Sequence, residues 1–141
     1  MRATFEIDIE NKRMCLSNGV VRRLFDFECG FRTVGLVYAP DGRNLVDPKH
    51  KKGIHDEIEE TTAPCRESMI ALDGREINLG TSAEFAYVSH EVVEGDDDDL
   101  VLTVILKNAS GVEVRLNYQI LEDQAFIVKW LEVINHGSED I

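Results

Sequence analysis

The 141-residue sequence is poor in the residues that mark unusual protein classes, with three prolines, ten glycines, three cysteines and one tryptophan. So little proline and glycine excludes a collagen-like chain and argues against a disordered one. Cys15, Cys29 and Cys65 have no C-x-x-C spacing, which predicts reduced, partly buried thiols rather than a disulfide framework or a metal site. Hydrophobic residues make up 43% of the chain, which is enough for the core of one globular domain spanning 1–141.

Basic residues are also scarce, since 15 lysines and arginines stand against 27 acidic residues and the formal net charge is −12. Such a chain repels phosphate groups, so we expect neither nucleic acid nor an anionic membrane as a partner. The longest apolar stretch, residues 100–106, is interrupted by Thr103 and is too short to span a bilayer. The amino terminus has no apolar run of the kind that a signal peptide needs, so we expect a cytoplasmic protein.

What the sequence has in abundance is alternation of apolar and polar residues with a period of two. Phe5, Ile7 and Ile9 alternate with polar neighbours, as in a strand that buries one face. The same pattern recurs between turn residues and without a helical period, which predicts an all-β fold, an antiparallel β-sandwich. The predicted strands cover residues 5–9, 14–16, 20–27, 31–38, 69–72, 76–79, 85–93, 100–107, 112–120 and 125–134, with a short additional strand at 44–46.

Two short turns and an acidic tip separate several of these strands. Asn18-Gly19 predicts a turn that tolerates positive φ, and Asp73-Gly74 predicts a type I′ hairpin turn. The acidic run at 94–99 invites comparison with a calcium loop, but four consecutive aspartates cannot all face one ion. A solvated hairpin tip is therefore the better interpretation.

The period-two pattern lapses between residues 39 and 64, which predicts one long loop. Loops of this length inside a compact domain are usually functional or mobile. His50 and His55, beside Asp56 and Glu57, allow a metal site to be drawn there. Solvated side chains are the better interpretation in a lysine-rich loop, so we predict no bound metal.

No local pattern marks a catalytic centre. The G-x-S-x-G, H-E-x-x-H, P-loop and dinucleotide glycine motifs are all absent, and we predict no catalytic residue and no cofactor. Among 27 acidic residues, a pair suited to glycoside hydrolysis is neither supported nor excluded. Trp130 offers an aromatic face on which a sugar ring can stack, whereas tryptophan in an apolar strand is more often a core residue, and both interpretations stay open.

Three stretches resemble a known family. Residues 16–23, LSNGVVRR, and 70–80, IALDGREINLG, resemble the amino-terminal part of alpha-galactosidase-like glycoside hydrolases of family 36. Residues 111–141, GVEVRLNYQILEDQAFIVKWLEVINHGSEDI, resemble a strand pair of the galactose-mutarotase-like β-supersandwich. In that pattern a strand ends in Tyr-x-Ile, an acidic turn follows, and the next strand finishes in Asn-x-Gly, the key positions being Tyr118, Asp123, Asn135 and Gly137.

The resemblance implies an amino-terminal domain that forms part or all of a supersandwich within a longer enzyme. The catalytic aspartates of the family lie later, in a (β/α)8 barrel, and no segment of this sequence resembles that barrel. The implied function is a non-catalytic accessory domain that supports the catalytic barrel of a glycoside hydrolase. Since loops of this domain approach the active site in the family, residues 39–64 are a candidate sugar contact, with His55 and Asp56, although aromatic residues expected there are lacking.

Two other functions stay open. The main alternative is a free-standing β-sandwich that binds carbohydrate or protein. A mutarotase-like epimerase is less favoured, because it needs a positioned acid–base pair and a complete cleft. If strands of a longer domain are missing from this chain, a sheet edge and part of the core are uncovered, and we then expect self-association as a homodimer.

Overall fold

A computed structural model describes residues 3–28, 30–38, 40, 43–44, 69–80, 83–95 and 97–137. These residues form eleven β-strands and no helix, so the predicted all-β class is confirmed, and none of them belongs to a helix that would cross a membrane. The strands are β1 (Thr4–Asp8), β2 (Arg13–Ser17), β3 (Val21–Asp26), β4 (Arg32–Tyr38), β5 (Arg43–Asn44), β6 (Met69–Leu72), β7 (Arg75–Asn78), β8 (Ala86–Glu94), β9 (Leu100–Lys107), β10 (Val112–Ile120) and β11 (Ile127–Asn135).

The strands form two larger antiparallel sheets and one hairpin. The first sheet has the order β1-β2-β3-β4-β5, and the second has the order β11-β10-β9-β8. The third pairing, β6 with β7, is a separate two-stranded hairpin. Neighbours in each sheet are also neighbours in the chain, as short turns between alternating segments predict.

The two larger sheets enclose one apolar core, because the alternation in each strand sends one set of side chains inward. Met14, Leu16 and Phe25 enter the core from the five-stranded sheet, and Leu116 and Tyr118 enter it from β10. The ring centroids of Phe25 and Tyr118 lie 4.7 Å apart, so the sheets are in contact at their centres. Burying each such Leu or Phe side chain contributes roughly 1.5–3 kcal/mol.

The β6–β7 hairpin covers one part of this core, with Ile70, Leu72, Ile77 and Leu79 buried. Its turn residues Asp73 and Gly74 have φ angles of 51° and 79°, which confirms the predicted turn with positive φ at both central positions. The hairpin is joined to the five-stranded sheet by a hydrogen bond of 3.0 Å from the Phe31 amide to the Leu79 carbonyl oxygen. The hairpin is thus part of the sandwich.

The turn predicted at Asn18-Gly19 is present, and Asn18 has a second role there that the sequence did not predict. Gly19 alone in this turn has a positive φ, of 86°, and Asn18 is 0% exposed. Its Oδ1 accepts hydrogen bonds from the amides of Val20 and Val21, at 3.0 and 2.9 Å. Its Nδ2 donates to the carbonyl oxygens of Leu121 and Gln124 in the β10–β11 turn, at 2.6 and 2.8 Å. Asn18 therefore fastens a turn of one sheet to a turn of the other.

The remaining sequence predictions have mixed outcomes. The described residues of the acidic run, 94–95 and 97–99, lie at the tip of the β8–β9 hairpin, with Asp97 and Asp98 exposed, as predicted. Cys15 is a free, half-buried thiol, also as predicted, and its burial raises the thiol pKa. The short strand predicted at 44–46 is found at Arg43–Asn44. Residues 45–68, which include most of the predicted long loop, lie outside the described residues.

Candidate functional site

Trp130 lies on β11, at one edge of the four-stranded sheet. Within the described chain, β11 pairs with β10 alone, over all nine of its residues. Trp130 keeps 41% of its surface exposed, so its interpretation as a core residue is wrong. The physical reason is that a pattern of alternating apolar and polar residues buries one face of a strand only where a second layer of structure covers that face. Leu131 and Val133, on the opposite face of β11, are also exposed.

Cross-strand pairing sets Trp130 beside polar residues on the outer face of the sheet. Trp130 pairs with Asn117 of β10, and Asn117 pairs with Thr103 of β9. Glu132 and Arg115 form the next pair on the same face. Paired residues of antiparallel strands point to the same side of a sheet, so the five side chains share one surface. We refer to Trp130, Glu132, Arg115, Asn117 and Thr103 together as the Trp130 face.

Asn117 holds the centre of the Trp130 face. Its Oδ1 accepts a hydrogen bond of 2.7 Å from Thr103 Oγ1. Its Nδ2 donates to Glu132 Oε1 at 3.0 Å and to the backbone carbonyl oxygen of Trp130 at 3.5 Å. Since Asn117 is only 3% exposed, these bonds are shielded from water and hold the Glu132 carboxylate in a defined orientation beside the exposed indole.

Arg115 is oriented from its other side by Glu113, whose side chain is only 6% exposed. Arg115 Nε donates to Glu113 Oε2 at 2.6 Å, and Glu113 Oε1 lies 3.6 Å from Lys107 Nζ and 3.3 Å from His136 Nε2. The hydrogen bond from Arg115 is the main cause that lowers the pKa of Glu113 below its ordinary value of 4.5, and the same bond raises the pKa of Arg115. Glu113 thus remains ionised and keeps Arg115 in place.

The bases on this side of the sheet offset part of the acidic charge, in a chain whose net charge is −12. The ionisable side chains here are Glu91, Asp99, Glu113, Glu132, Arg115, Lys107 and His136, and Asp99 accepts a hydrogen bond of 3.0 Å from Gln119 on this face. An exposed aromatic plane therefore lies beside oriented acceptors and donors, with acidic side chains in modest excess. Such a surface suits a ligand that has an apolar side and several hydroxyl groups.

A cleft of about 310 Å³ lies between the two larger sheets, near the beginning of β11. Its lining residues are Val21, Arg23, Leu36, Tyr38, Ala125, Phe126 and Ile127. Arg23 Nε donates to Thr33 Oγ1 at 2.9 Å, and the Arg23 guanidinium lies 5.1 Å from the ring centroid of Tyr118. The Lys129 ammonium lies 5.7 Å from the same ring. These contacts place two cations against one buried aromatic ring.

The structure locates only one of the three residues predicted to contact carbohydrate. Trp130 is exposed, whereas His55 and Asp56 lie outside the described residues, as do His50 and Glu57. The polar neighbours of Trp130 were not predicted, although alternating polar residues on a central strand are a signal for an outward polar face. Within the described ranges, no group of three or more His, Cys, Asp or Glu side chains is arranged to hold a metal ion.

No protein-family model matches the chain, and no curated protein matches its sequence significantly. Among solved structures, the fold is similar to that of the GH36 alpha-galactosidase AgaB from Geobacillus stearothermophilus, with a TM-score of 0.61 at 15% sequence identity. The similarity covers 96% of this chain, which spans 23% of the alpha-galactosidase chain. The chain therefore has the fold of part of a family-36 alpha-galactosidase, as the resemblance of its sequence implied.

Proposed function

We propose that this chain is a non-catalytic β-sandwich domain of an alpha-galactosidase-like glycoside hydrolase, in which it supports a catalytic barrel and contacts carbohydrate. The observation that carries the proposal is the fold match, which extends over 96% of this chain but only 23% of the alpha-galactosidase. A match of this extent is what a domain of a larger enzyme would give, although fold alone does not fix function.

The exposed apolar residues of β11 support a role in packing against further protein. Leu131 and Val133, which pair with the core residues Leu116 and Val114, are each more than a third exposed. Apolar exposure on the core-facing side of an edge strand is unusual for a surface that faces only water. A domain that supports a larger enzyme would cover Leu131 and Val133 on assembly and leave the Trp130 face open.

The ion pairs of the buried Glu113 carboxylate favour a structural rather than a catalytic role for it. A glycosidase needs a carboxylic acid whose pKa is raised, so that it can donate a proton to the leaving group. The pKa of Glu113 is instead lowered, because Arg115 donates a hydrogen bond to it. Asp26 is part of a separate ion-pair cluster, with Arg13 and Arg32 at 3.5 and 3.6 Å.

The experiment that tests this function is to read the gene beyond the codon for Ile141. A reading frame that continues into a (β/α)8 barrel supports the proposal, and a native stop codon at that point contradicts it. An activity assay complements the gene sequence: the isolated chain is expected to leave 4-nitrophenyl α-galactoside unhydrolysed. Turnover that persists through purification and is abolished by substituting a carboxylate of this chain would refute the non-catalytic role.

A free-standing carbohydrate-binding sandwich is the second candidate function. The exposure of Trp130 beside Glu132 and Arg115 favours it, since this surface needs no second domain to contact a sugar. The same gene sequence separates the two candidates. A native stop codon together with measurable sugar binding would favour the free-standing module over the accessory domain.

A further inference from the structure

We propose that the Trp130 face binds a neutral pyranose, stacked on the Trp130 indole and hydrogen-bonded through its hydroxyl groups to Glu132 and Arg115. The choice of carbohydrate rests on the proposed role in a carbohydrate-active protein. The surface, the orientation of the sugar and the preference for an uncharged ring go beyond that role and follow from the geometry of this sheet.

The indole supplies the apolar half of the site. Trp130 is 41% exposed but is held in the middle of a continuous nine-residue ladder with β10, so its backbone position is fixed. The face of an aromatic ring is electron-rich, and the C–H groups on one side of a pyranose present partial positive charge to it. Val128, two residues away on the same face, extends the apolar surface.

Glu132 and Arg115 supply the polar half. The position of the Glu132 carboxylate is set by Asn117 at 3.0 Å, and that of the Arg115 guanidinium is set by Glu113 at 2.6 Å. Trp130 and Glu132 are two residues apart on one strand, about 7 Å, which one sugar ring with its hydroxyl groups bridges. An ionised carboxylate accepts from hydroxyl groups and a guanidinium donates to them, so adjacent hydroxyls find both partners.

The charge balance selects a neutral ligand. Arg115 and Lys107 are both engaged by the Glu113 carboxylate, so an anionic sugar would compete with an existing ion pair. The net charge of −12 on the whole chain also repels an anion. Hydroxyl groups gain hydrogen bonds here without that competition, which favours an uncharged hexopyranoside over a uronic acid.

Titration of the 141-residue chain with methyl α-D-galactopyranoside tests the site. Trp130 is the sole tryptophan, so its fluorescence reports on this surface alone, and calorimetry gives the affinity independently. We expect a saturable change with a Kd on the order of 1 mM, since one aromatic platform with two polar contacts forms a small interface. D-galacturonate, the anionic counterpart, is expected to bind at least several-fold more weakly.

Variants assign the binding to individual side chains, with calorimetry as the readout. Trp130→Ala is expected to abolish measurable binding, and Trp130→Phe to retain part of it because a smaller aromatic face remains. Glu132→Gln is expected to weaken binding roughly tenfold by removing a charged acceptor. Phe126→Ala is the matched control, because Phe126 is also an exposed aromatic residue but lines the cleft between the sheets.

The possible results are all decisive. Absence of a saturable response at sugar concentrations far above the expected Kd, in wild-type chain with an intact melting transition, overturns the site. The proposed site is also overturned if Trp130→Ala binds the sugar as tightly as the wild-type chain does. The same holds if Phe126→Ala loses as much affinity as Trp130→Ala, because the sugar then binds elsewhere. Tighter binding of galacturonate contradicts the neutral-ligand assignment. Since the accessory role is tested by the gene sequence, its failure and the failure of this site are distinguishable.

Discussion

The link that Asn18 makes between the two larger sheets gives a sharp prediction of stability. Asn18→Ala removes two acceptor bonds, to the amides of Val20 and Val21, and two donor bonds, to the carbonyl oxygens of Leu121 and Gln124. Each intramolecular hydrogen bond contributes about 0.5–1.5 kcal/mol, so four of them amount to about 2–6 kcal/mol. The upper part of this range applies because Asn18 is fully buried, where unsatisfied polar groups are costly.

The measurement is the free energy of unfolding from urea denaturation, supported by thermal melting. For a chain of this length, about 5 kcal/mol corresponds to a decrease in Tm of roughly 15–20 °C. Asn108→Ala is the matched control, because Asn108 Oδ1 also accepts two backbone amides, from Ser110 and Val112, at 3.1 and 2.9 Å. Those two bonds stay within one turn, so at the same energy per bond we expect the control to cost about 1–3 kcal/mol.

Asn18→Asp separates the donor bonds from the acceptor bonds. Aspartate keeps the Oδ1 acceptor but places a second carboxylate oxygen opposite the carbonyl oxygens of Leu121 and Gln124, where it cannot donate when ionised. Its folded-state pKa should therefore be raised, so its destabilisation grows as pH rises above about 4 and is relieved below that pH. Equal stability of Asn18→Ala and Asn108→Ala, or a wild-type stability for Asn18→Asp at pH 7, would refute this account.

Three further predictions concern other parts of the sandwich. Because the pKa of Glu113 is lowered in the folded state, the stabilisation that Glu113 contributes is present above its ordinary pKa of 4.5 and is lost as pH falls. Glu113→Gln should therefore make the free energy of unfolding, measured by urea denaturation, depend less on pH in the acidic range. The same pH dependence in the variant and the wild type would contradict this. Light scattering should show a mass above that of the 15.9 kDa monomer. Val133→Lys on the edge strand β11 should restore the monomer, whereas Val93→Lys on the other edge strand, β8, should not. A wild-type chain that stays monomeric at high concentration would refute the predicted association. Gly30→Ala should lower Tm far more than Gly74→Ala. Both glycines have positive φ, but a Cβ atom added at Gly30 would clash with the Leu79 carbonyl oxygen, whereas one added at Gly74 would meet no atom. Equal decreases in Tm would show that this clash is not the cause.

The strands were predictable because their signal is local. Alternation of apolar and polar residues in 112–120 and in the other long strands is repeated within each segment, and Asp73-Gly74 fixes its turn from two adjacent residues. Boundaries shifted by about two residues, as for the last strand, which was predicted at 125–134 and is found at Ile127–Asn135. Residues at the ends of strands depend on hydrogen bonds that sequence alone does not specify.

The candidate site was less predictable because it depends on contacts between segments. The period of two places Trp130 on one face of β11, but it does not say whether a second layer covers that face. The partners of Asn18 lie 103 and 106 residues away in the chain, so no local pattern indicates its role. Asn117 likewise acquires its function only through its register with β9 and β11, which cross-strand pairing sets.

The order of strands in the two larger sheets has a consequence for how the chain folds. Every neighbouring pair in these sheets is consecutive in the chain, so each sheet can grow by closing successive hairpins over short connections. Contacts of this kind have low contact order and form quickly, even in an all-β protein. Docking of Phe25 against Tyr118, by contrast, brings together opposite halves of the chain. We expect this docking step to limit the folding rate. Substitutions in the inner core should therefore slow folding, whereas substitutions on the Trp130 face should leave the folding rate nearly unchanged.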